Sequence, residues 1–448
     1  MSIINTTFNL LNMSTKKVLI ITYYWPPTGG AGVQRWLKFS KYFRQFNWEP
    51  IIYTPSNPDF PINDETLLKD VLPNLEILKT PINEPYDVYR KIMGKKKTDA
   101  VNQGFLSESK ENKVLQRMMI WVRGNFFIPD ARKFWIKPSI NYLSDYLKKN
   151  NIDAIISTGP PHSMHLIALG LKQKFNIPWI ADFRDPWTQI DFYNQLHLTK
   201  LADNKHKKLE KLVLQTADKV VTVSSHWAED LKLLCERNID VITNGFDADD
   251  FNHKNEDALL TVFLFHHIGA LNKDRNPHTL WKVLGKLCIE SEAFKTDLKL
   301  KFTGKTDAAV FDSLKENGIF ENAEKTDYMA HSEVVKLLLK SPILLLPLND
   351  TPNILGIVPG KLFEYLAAKR PIFAIGNEEG DTAKIIADAH AGEMVGFKDE
   401  VNTKIRVLEL YKQFKEHNLQ INSSSIEKYS RKSCAESYTK LLNEITVY

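Results

Sequence analysis

Short apolar runs alternate with helical stretches along this chain, in a series that starts twice, and this constrains its fold more than any other feature. Lys17-Val18-Leu19-Ile20-Ile21-Thr22-Tyr23 is apolar and β-branched; it leads into Pro26-Pro27-Thr28-Gly29-Gly30-Ala31-Gly32 and then into Val33, Leu37, Tyr42 and Phe43 at helical spacing. Residues 49–54, 152–157, 178–183 and 219–223 read as further strands. The pattern restarts with strands at 260–266, 298–302, 343–348 and 372–375. Continuous apolar runs suit strands covered on both faces, and the helices between them supply the crossovers of a parallel sheet. The chain is therefore expected to be α/β, with two Rossmann-like doubly wound domains joined near the turn-forming Asn244-Gly245-Phe246-Asp247. The expected boundaries are 1–245 and 246–424, followed by a terminal helix over 425–448 with Tyr429, Cys434, Tyr438, Leu441, Leu442 and Ile445 on its apolar face.

Composition excludes several classes. A net charge of +5 on 448 residues is mild, and 43% hydrophobic with 25% charged residues is ordinary for a globular chain. No nucleic-acid partner is expected, since no RNA- or DNA-binding module signature is present. Cys235, Cys288 and Cys434 are far apart and lack metal-ligand spacing, so they read as reduced thiols of a cytoplasmic protein. No apolar run reaches about 18 residues and the first fifteen residues lack a basic n-region, so neither a membrane span nor a signal peptide is expected.

One segment points to nucleotide chemistry. Pro359-Gly360-Lys361-Leu362-Phe363-Glu364 opens a helix with Pro and Gly and sets a carboxylate one turn in. A helix N-terminus offers N–H groups and partial positive charge to an anion. A carboxylate beside it accepts two hydrogen bonds from a vicinal diol such as a ribose; an ordinary first-turn glutamate is the competing reading. The strand at 343–348 ends in a polar loop, Asn349 to Asn353, so strand, loop and helix are ordered as a ligand crevice in an open α/β sheet. In the first domain the glycine-rich loop invites a dinucleotide reading, but Arg35 stands where a third glycine would be expected. The strand that should end in a ribose-binding acid ends Ile51-Ile52-Tyr53-Thr54-Pro55, which disfavours NAD. Gly30 and Gly32 either let a ligand approach the backbone closely or simply make a tight turn.

Residues 87–138 form an insertion of different character. Lys95-Lys96-Lys97 leads into a polar stretch, and Val114 to Arg123 then places apolar residues at helical spacing with Arg117 and Arg123 among them. Phe126, Phe127, Phe134 and Trp135 follow, interleaved with Arg132, Lys133 and Lys137. Two readings stand: a helix that packs on the domain, or a basic-aromatic surface over 114–137 that meets a membrane or a lipid-linked acceptor.

Five segments, in their order and spacing, resemble a family 4 retaining glycosyltransferase of the GT-B architecture: Tyr23 to Arg35, Ile180 to Trp187, Ala217 to Asp247, His267 to Pro277 and Pro359 to Pro371. The resemblance spans nearly the whole chain outside the insertion. It implies two domains facing each other across a cleft, with the acceptor in the first, the sugar nucleotide in the second, and the last helix crossing back to the first. Glu364 matches the second glutamate of the family's E-x7-E motif, a ribose clamp, while Gly356 stands where many members have the first; backbone groups of 353–358 are the expected substitute. The donor-binding set implied is Gly30, Gly32, Lys273, Arg275, Gly360, Lys361 and Glu364. Ala270 follows Gly269 where a basic residue is usual, which leaves Lys273 and Arg275 as diphosphate cations, with solvated loop charges as the alternative. Arg184 and Asp185, in a D-x-R-D-x-W segment where many members carry histidine, and His162 are the implied catalytic groups. A buried Asp–Arg pair within the segment Asp182 to Asp185 and a structural histidine are the competing readings.

The implied activity is metal-independent, hexosyltransferase-type transfer from a nucleotide-diphosphate sugar to a glycan or lipid-linked acceptor. It would retain anomeric configuration, need no cofactor, and serve cell-surface polysaccharide or glycoconjugate synthesis in the cytoplasm or at the inner membrane face. A sugar-nucleotide epimerase of the same fold, using acid/base groups such as His162, Asp182 and Asp185, and a catalytically silent scaffold, suggested by Gly356, are the other readings.

Overall fold

The computed structural model describes residues 15–59, 63–85, 113–251, 261–419 and 423–447. Lys95-Lys96-Lys97 and the polar stretch after it lie outside them. The described chain divides into two compact units. One takes the chain as far as Val223, Trp227–Ile242 and the last helix from Arg431; the other takes Ser224–His226 and Thr243–Ser430.

In the first unit β1 (Lys16–Ile21), β2 (Trp48–Pro55), β3 (Glu76–Thr80), β4 (Ala154–Gly159), β5 (Trp179–Phe183), β6 (Lys219–Thr222) and β7 (Asp240–Val241) form one sheet in the order 3-2-1-4-5-6-7. In the second, β8 (Phe263–Ile268), β9 (Leu298–Thr303), β10 (Ala323–Thr326), β11 (Ile343–Pro347), β12 (Ile372–Gly376) and β13 (Gly392–Gly396) run in the order 10-9-8-11-12-13. Every pairing in both sheets is parallel. Strand order reverses beside β1 and β4 in one sheet and beside β8 and β11 in the other. Loops at the carboxyl ends of these strands diverge there and leave a crevice.

All nine predicted strands form, with ends displaced by a few residues. The four that the sequence pattern did not predict, β3, β7, β10 and β13, are the outer strands of the two sheets. Inner strands such as β4 and β8 are buried at every position, whereas β3 and β10 are exposed or half-buried throughout. An edge strand is covered less and carries polar residues, so its pattern resembles a loop.

The last helix, Arg431–Ile445, packs on the helix Ala31–Phe43. Tyr438 meets Trp36 edge-on with ring centroids 5.0 Å apart and lies 5.7 Å from Phe39. The short turn Ile426–Tyr429, which the sequence grouped with this helix, belongs to the other unit, where Ile426 and Tyr429 join its core.

Candidate functional site

In the first unit, Asp182 at the end of β5 is fully buried and pairs with Arg35, not with Arg184. Arg35 Nε and Nη2 donate to its two oxygens at 3.2 and 3.1 Å; Trp36 Nε1, Thr158 Oγ1 and the Tyr438 hydroxyl each donate at 2.8 Å. Burial pushes the Asp182 carboxyl up, but Arg35, Arg184 and the Tyr438 bond outweigh it and hold it below the ordinary range. Arg35 thus occupies the expected third-glycine position because its guanidinium neutralises a buried carboxylate.

Arg184 is then available to the loops. Its Nη1 donates to Gly32 O at 3.0 Å and its Nη2 to Pro160 O, so it links the first turn of the helix Ala31–Phe43 after β1 to the loop after β4, on either side of the strand-order reversal. A Cβ on Gly32 would stand 3.0 Å from the Tyr24 ring, which would have to give by a few tenths of an ångström. Beside these loops is a cavity of about 230 Å³ lined by Asp185, His162, Trp187 and His206, with Arg123 and Phe127 among the other lining residues. His162 stacks on Trp187 with centroids 4.8 Å apart, and Trp187 Nε1 donates to His206 Nδ1 at 3.0 Å. Burial, then neighbouring His165 and Arg184, hold His162 well below its ordinary pKa, so it is neutral. Its Nδ1 is buried and finds no hydrogen-bond partner among the described residues. The Asp185 carboxyl is pushed up chiefly by burial, and nothing among the described residues hydrogen-bonds to it. Glu210, not singled out by the sequence reading, accepts from Thr188 N and Oγ1 and so fixes the chain just after Trp187. A wider depression of about 710 Å³ around Lys211, Lys232, Cys235 and Arg237 contains none of the expected site residues.

In the second unit, Lys273, Arg275, Gly360, Lys361 and Glu364 all lie near the carboxyl ends of β8 and β11. Lys273 is exposed in the turn Lys273–Arg275 and lies on the solvent side. Arg275 is held inward: its Nε donates to Asn349 Oδ1 at 2.6 Å, which joins the β8 loop to the β11 loop at the strand-order reversal. Gly360 caps the helix Lys361–Ala368, but its φ of −56° is ordinary helical backbone. The first-turn N–H groups of Leu362 and Phe363 turn back onto Pro359 and Gly360 carbonyls at 3.0 and 3.3 Å. An anion here therefore relies on the side-chain cations more than on bare helix N–H groups.

Glu364 Oε1 lies 2.9 Å from Nε2 of His331, the first residue of the helix His331–Lys340. Both side chains are about one-fifth exposed, so the carboxylate is oriented while still open to a ligand. A lone histidine 33 positions before Glu364 carries no sequence signal for this role. Gly356 lies buried in the turn Ile354–Gly356 and presents no side chain. The expected set is thus divided: Gly30, Gly32, His162, Arg184 and Asp185 belong to the first unit and the rest to the second. Among the described residues no group of histidine, cysteine or acidic side chains is placed to hold a metal ion.

The two-sheet α/β fold is the GT-B fold. It recurs in sucrose-phosphate synthase from Thermosynechococcus elongatus, with TM-score 0.61, 11% identity and coverage of 96% of this chain and 98% of that one. It recurs also in Anabaena HepE in complex with UDP, with TM-score 0.60, 12% identity and 96% and 100% coverage. A putative UDP-N-acetylglucosamine 2-epimerase from Listeria monocytogenes is similar as well, with TM-score 0.52, 11% identity and 96% coverage of both chains. Residues 104–250, about a third of the chain, match the family model of Glycosyltransferase Family 4. No curated protein matches the chain.

Proposed function

We propose that this chain is a glycosyltransferase that takes a sugar from a nucleoside-diphosphate donor bound by its second unit and passes it to an acceptor hydroxyl bound by its first. The observation that carries the reading is the convergence of Arg275, Lys361 and the His331-oriented Glu364 at the strand-order reversal of the second sheet. Glu364 takes the ribose diol, and the two cations take the diphosphate and the charge that grows on it as the glycosidic bond breaks. The match of residues 104–250 to a glycosyltransferase family supports transfer over the other chemistry found on this fold. Transfer proceeds with retention and without a metal; the leaving diphosphate accepts the proton of the incoming hydroxyl. In the first unit, Arg184 ties the start of the helix after β1 to the loop after β4, while Asp185 offers an acceptor sugar a hydrogen-bond acceptor beside the cavity.

The acceptor side also meets a membrane in this reading. The helix Lys113–Phe126 contains no acidic residue, and Phe126 and Phe134 are 59% and 54% exposed. Lys133 Nζ lies 5.2 and 4.9 Å from the ring centroids of Phe127 and Phe134. The same helix packs inward on His206, whose Nε2 is 3.3 Å from Gly124 O, so one face is buried while the other is free for anionic lipid headgroups. No helix among the described residues is long and apolar enough to cross a membrane.

The test is incubation with a panel of nucleotide sugars and candidate acceptors in deuterated water, followed by NMR and mass spectrometry. A new glycoside without deuterium in the sugar supports transfer. Deuterium at a ring carbon with inversion there means epimerisation, because that reaction must break and remake a C–H bond. Unchanged sugars throughout would point to a silent scaffold.

A further inference from the structure

Most polar groups around the cavity that Asp185 lines are engaged within the first unit itself. Trp187 Nε1 donates to His206 Nδ1 at 3.0 Å, so His206 carries its hydrogen on Nε2, which faces Gly124 O at 3.3 Å. The Tyr193 hydroxyl donates to Asp203 at 3.0 Å, Arg132 Nε pairs with Glu84 at 2.9 Å, and Asp130 accepts from Ser163 N and Oγ at 2.9 and 2.8 Å. His162 adds no open nitrogen: Nδ1 is turned to Gly159, where a Cβ would stand 2.9 Å from it, and the ring bonds otherwise to the Pro186 backbone. Two charged lining groups are left over. The Asp185 carboxylate and the Arg123 guanidinium are both half-buried, and neither forms a hydrogen bond or ion pair with the other or with any described residue. Phe127, Ile190, Phe192 and Leu196 give the cavity apolar walls. At about 230 Å³ it is smaller than the roughly 300–1,000 Å³ of sites for drug-sized ligands, so it takes a single ring and not a chain of them.

We propose that this cavity holds the sugar ring of the acceptor and that this sugar is anionic: Arg123 takes a phosphate or carboxylate carried by the ring, Asp185 accepts hydrogen bonds from its hydroxyls, and the apolar walls cover its C–H face. This names the acceptor class for the function proposed above and rests on that reading. A guanidinium offers paired N–H donors that match the paired oxygens of either anion. A neutral sugar satisfies Asp185 but leaves Arg123 without a counter-charge, so charge is the property by which the site selects. Arg123 lies on the helix Lys113–Phe126, which contains no acidic residue, and no carboxylate of that helix competes with the ligand for it.

The test is ligand-observed NMR titration of the full chain with the 1-phosphates of glucose, galactose, mannose and N-acetylglucosamine, with glucuronic and galacturonic acids, with the neutral parent sugars and with inorganic phosphate. At least one charged sugar is expected to bind about tenfold or more tightly than its neutral parent and than inorganic phosphate. The phosphate and carboxylate arms tell which anion Arg123 takes. Arg123→Met should erase the preference for the charged sugar without moving the melting temperature, since no bond within the fold is lost, and Arg123→Lys should keep part of it. Asp185→Asn should weaken the charged sugar and its neutral parent alike, because the hydroxyl contacts are common to both. Losses in both variants place the ligand in this cavity. Inorganic phosphate that binds as tightly as the sugar phosphate means an adventitious ion only and overturns the proposal. A charged sugar whose affinity is indifferent to Arg123, a preference for neutral sugars, or no sugar bound at all overturns it too. The transferase reading is decided separately by the isotope experiment above and survives each of those results.

Discussion

Replacing Asp182 by Asn keeps its volume and removes only the charge, so it tests whether this carboxylate is structural. Asp182 accepts five hydrogen bonds, two from Arg35 and one each from Trp36, Thr158 and Tyr438. An amide nitrogen at one of those oxygens would face donors, and Arg35 would be left as an uncompensated buried charge. Breaking a buried pair by removing one partner costs about 3–5 kcal/mol. At roughly 2–4 °C per kcal/mol for a unit of this size, the first unit should melt about 6–20 °C lower. Tryptophan fluorescence reads that unit almost alone, because of the nine tryptophans all but Trp281 belong to it. Tyr438→Phe removes a hydroxyl that donates to Asp182 and accepts from Arg35 at 2.8 Å, and should cost about 1.5–3 kcal/mol through the same network. Nucleotide binding by the second unit should survive both changes below the new transition. A shift under about 2 °C for Asp182→Asn would refute the structural assignment. Lost turnover with unchanged melting would instead make Asp182 a group that touches substrate.

Further expectations concern other parts of the molecule. Burial raises the Glu210 carboxyl to about 7 from its ordinary 4.5. The folded form therefore binds the proton more tightly than the unfolded form, and stability is fully present below pH 4.5 and declines by roughly 3 kcal/mol as pH rises to 7. In Glu210→Gln, melting curves across this range should lose that slope; a slope that persists would assign the effect elsewhere. Arg184→Met should leave global melting within a few degrees but raise the acceptor KM or lower kcat by about 10-fold or more, because the start of the helix after β1 and the loop after β4 lose their link. Unchanged kinetics would sever Arg184 from function. Changing Phe126 and Phe134 to Ser should reduce sedimentation with phosphatidylglycerol vesicles several-fold and leave the weak binding to phosphatidylcholine unaltered. Equal sedimentation of variant and wild type would remove the membrane surface from the account.

The inner strands were legible because a strand covered on both faces must be apolar along its length; the outer strands escaped because half-exposed runs such as Ala323–Thr326 read as loops. The glycine-rich loop and the Pro359–Glu364 segment were legible as local patterns. What holds them was not. The segment Asp182 to Asp185 suggested a local Asp–Arg pair, but the Asp182 carboxylate pairs with Arg35, 147 positions away, and Arg184 bonds to the Gly32 and Pro160 carbonyls. His267 and Lys361 are 94 positions apart, and only the parallel sheet order, which places β8 beside β11, brings them together. His331 carries no motif at all, since an orienting contact places no demand on neighbouring residues.

The most direct test of the central claim is the affinity of the wild type and of Glu364→Ala for UDP, GDP, ADP and CDP, whose riboses carry the vicinal diol, measured by calorimetry. The account predicts that one base binds well, and that Glu364→Ala, which removes hydrogen bonds to a charged acceptor worth about 1.5–3 kcal/mol, weakens it by about 10- to 150-fold. Equal affinity in the two proteins would contradict the placing of the donor ribose on Glu364 and, with it, the site on which the function is argued.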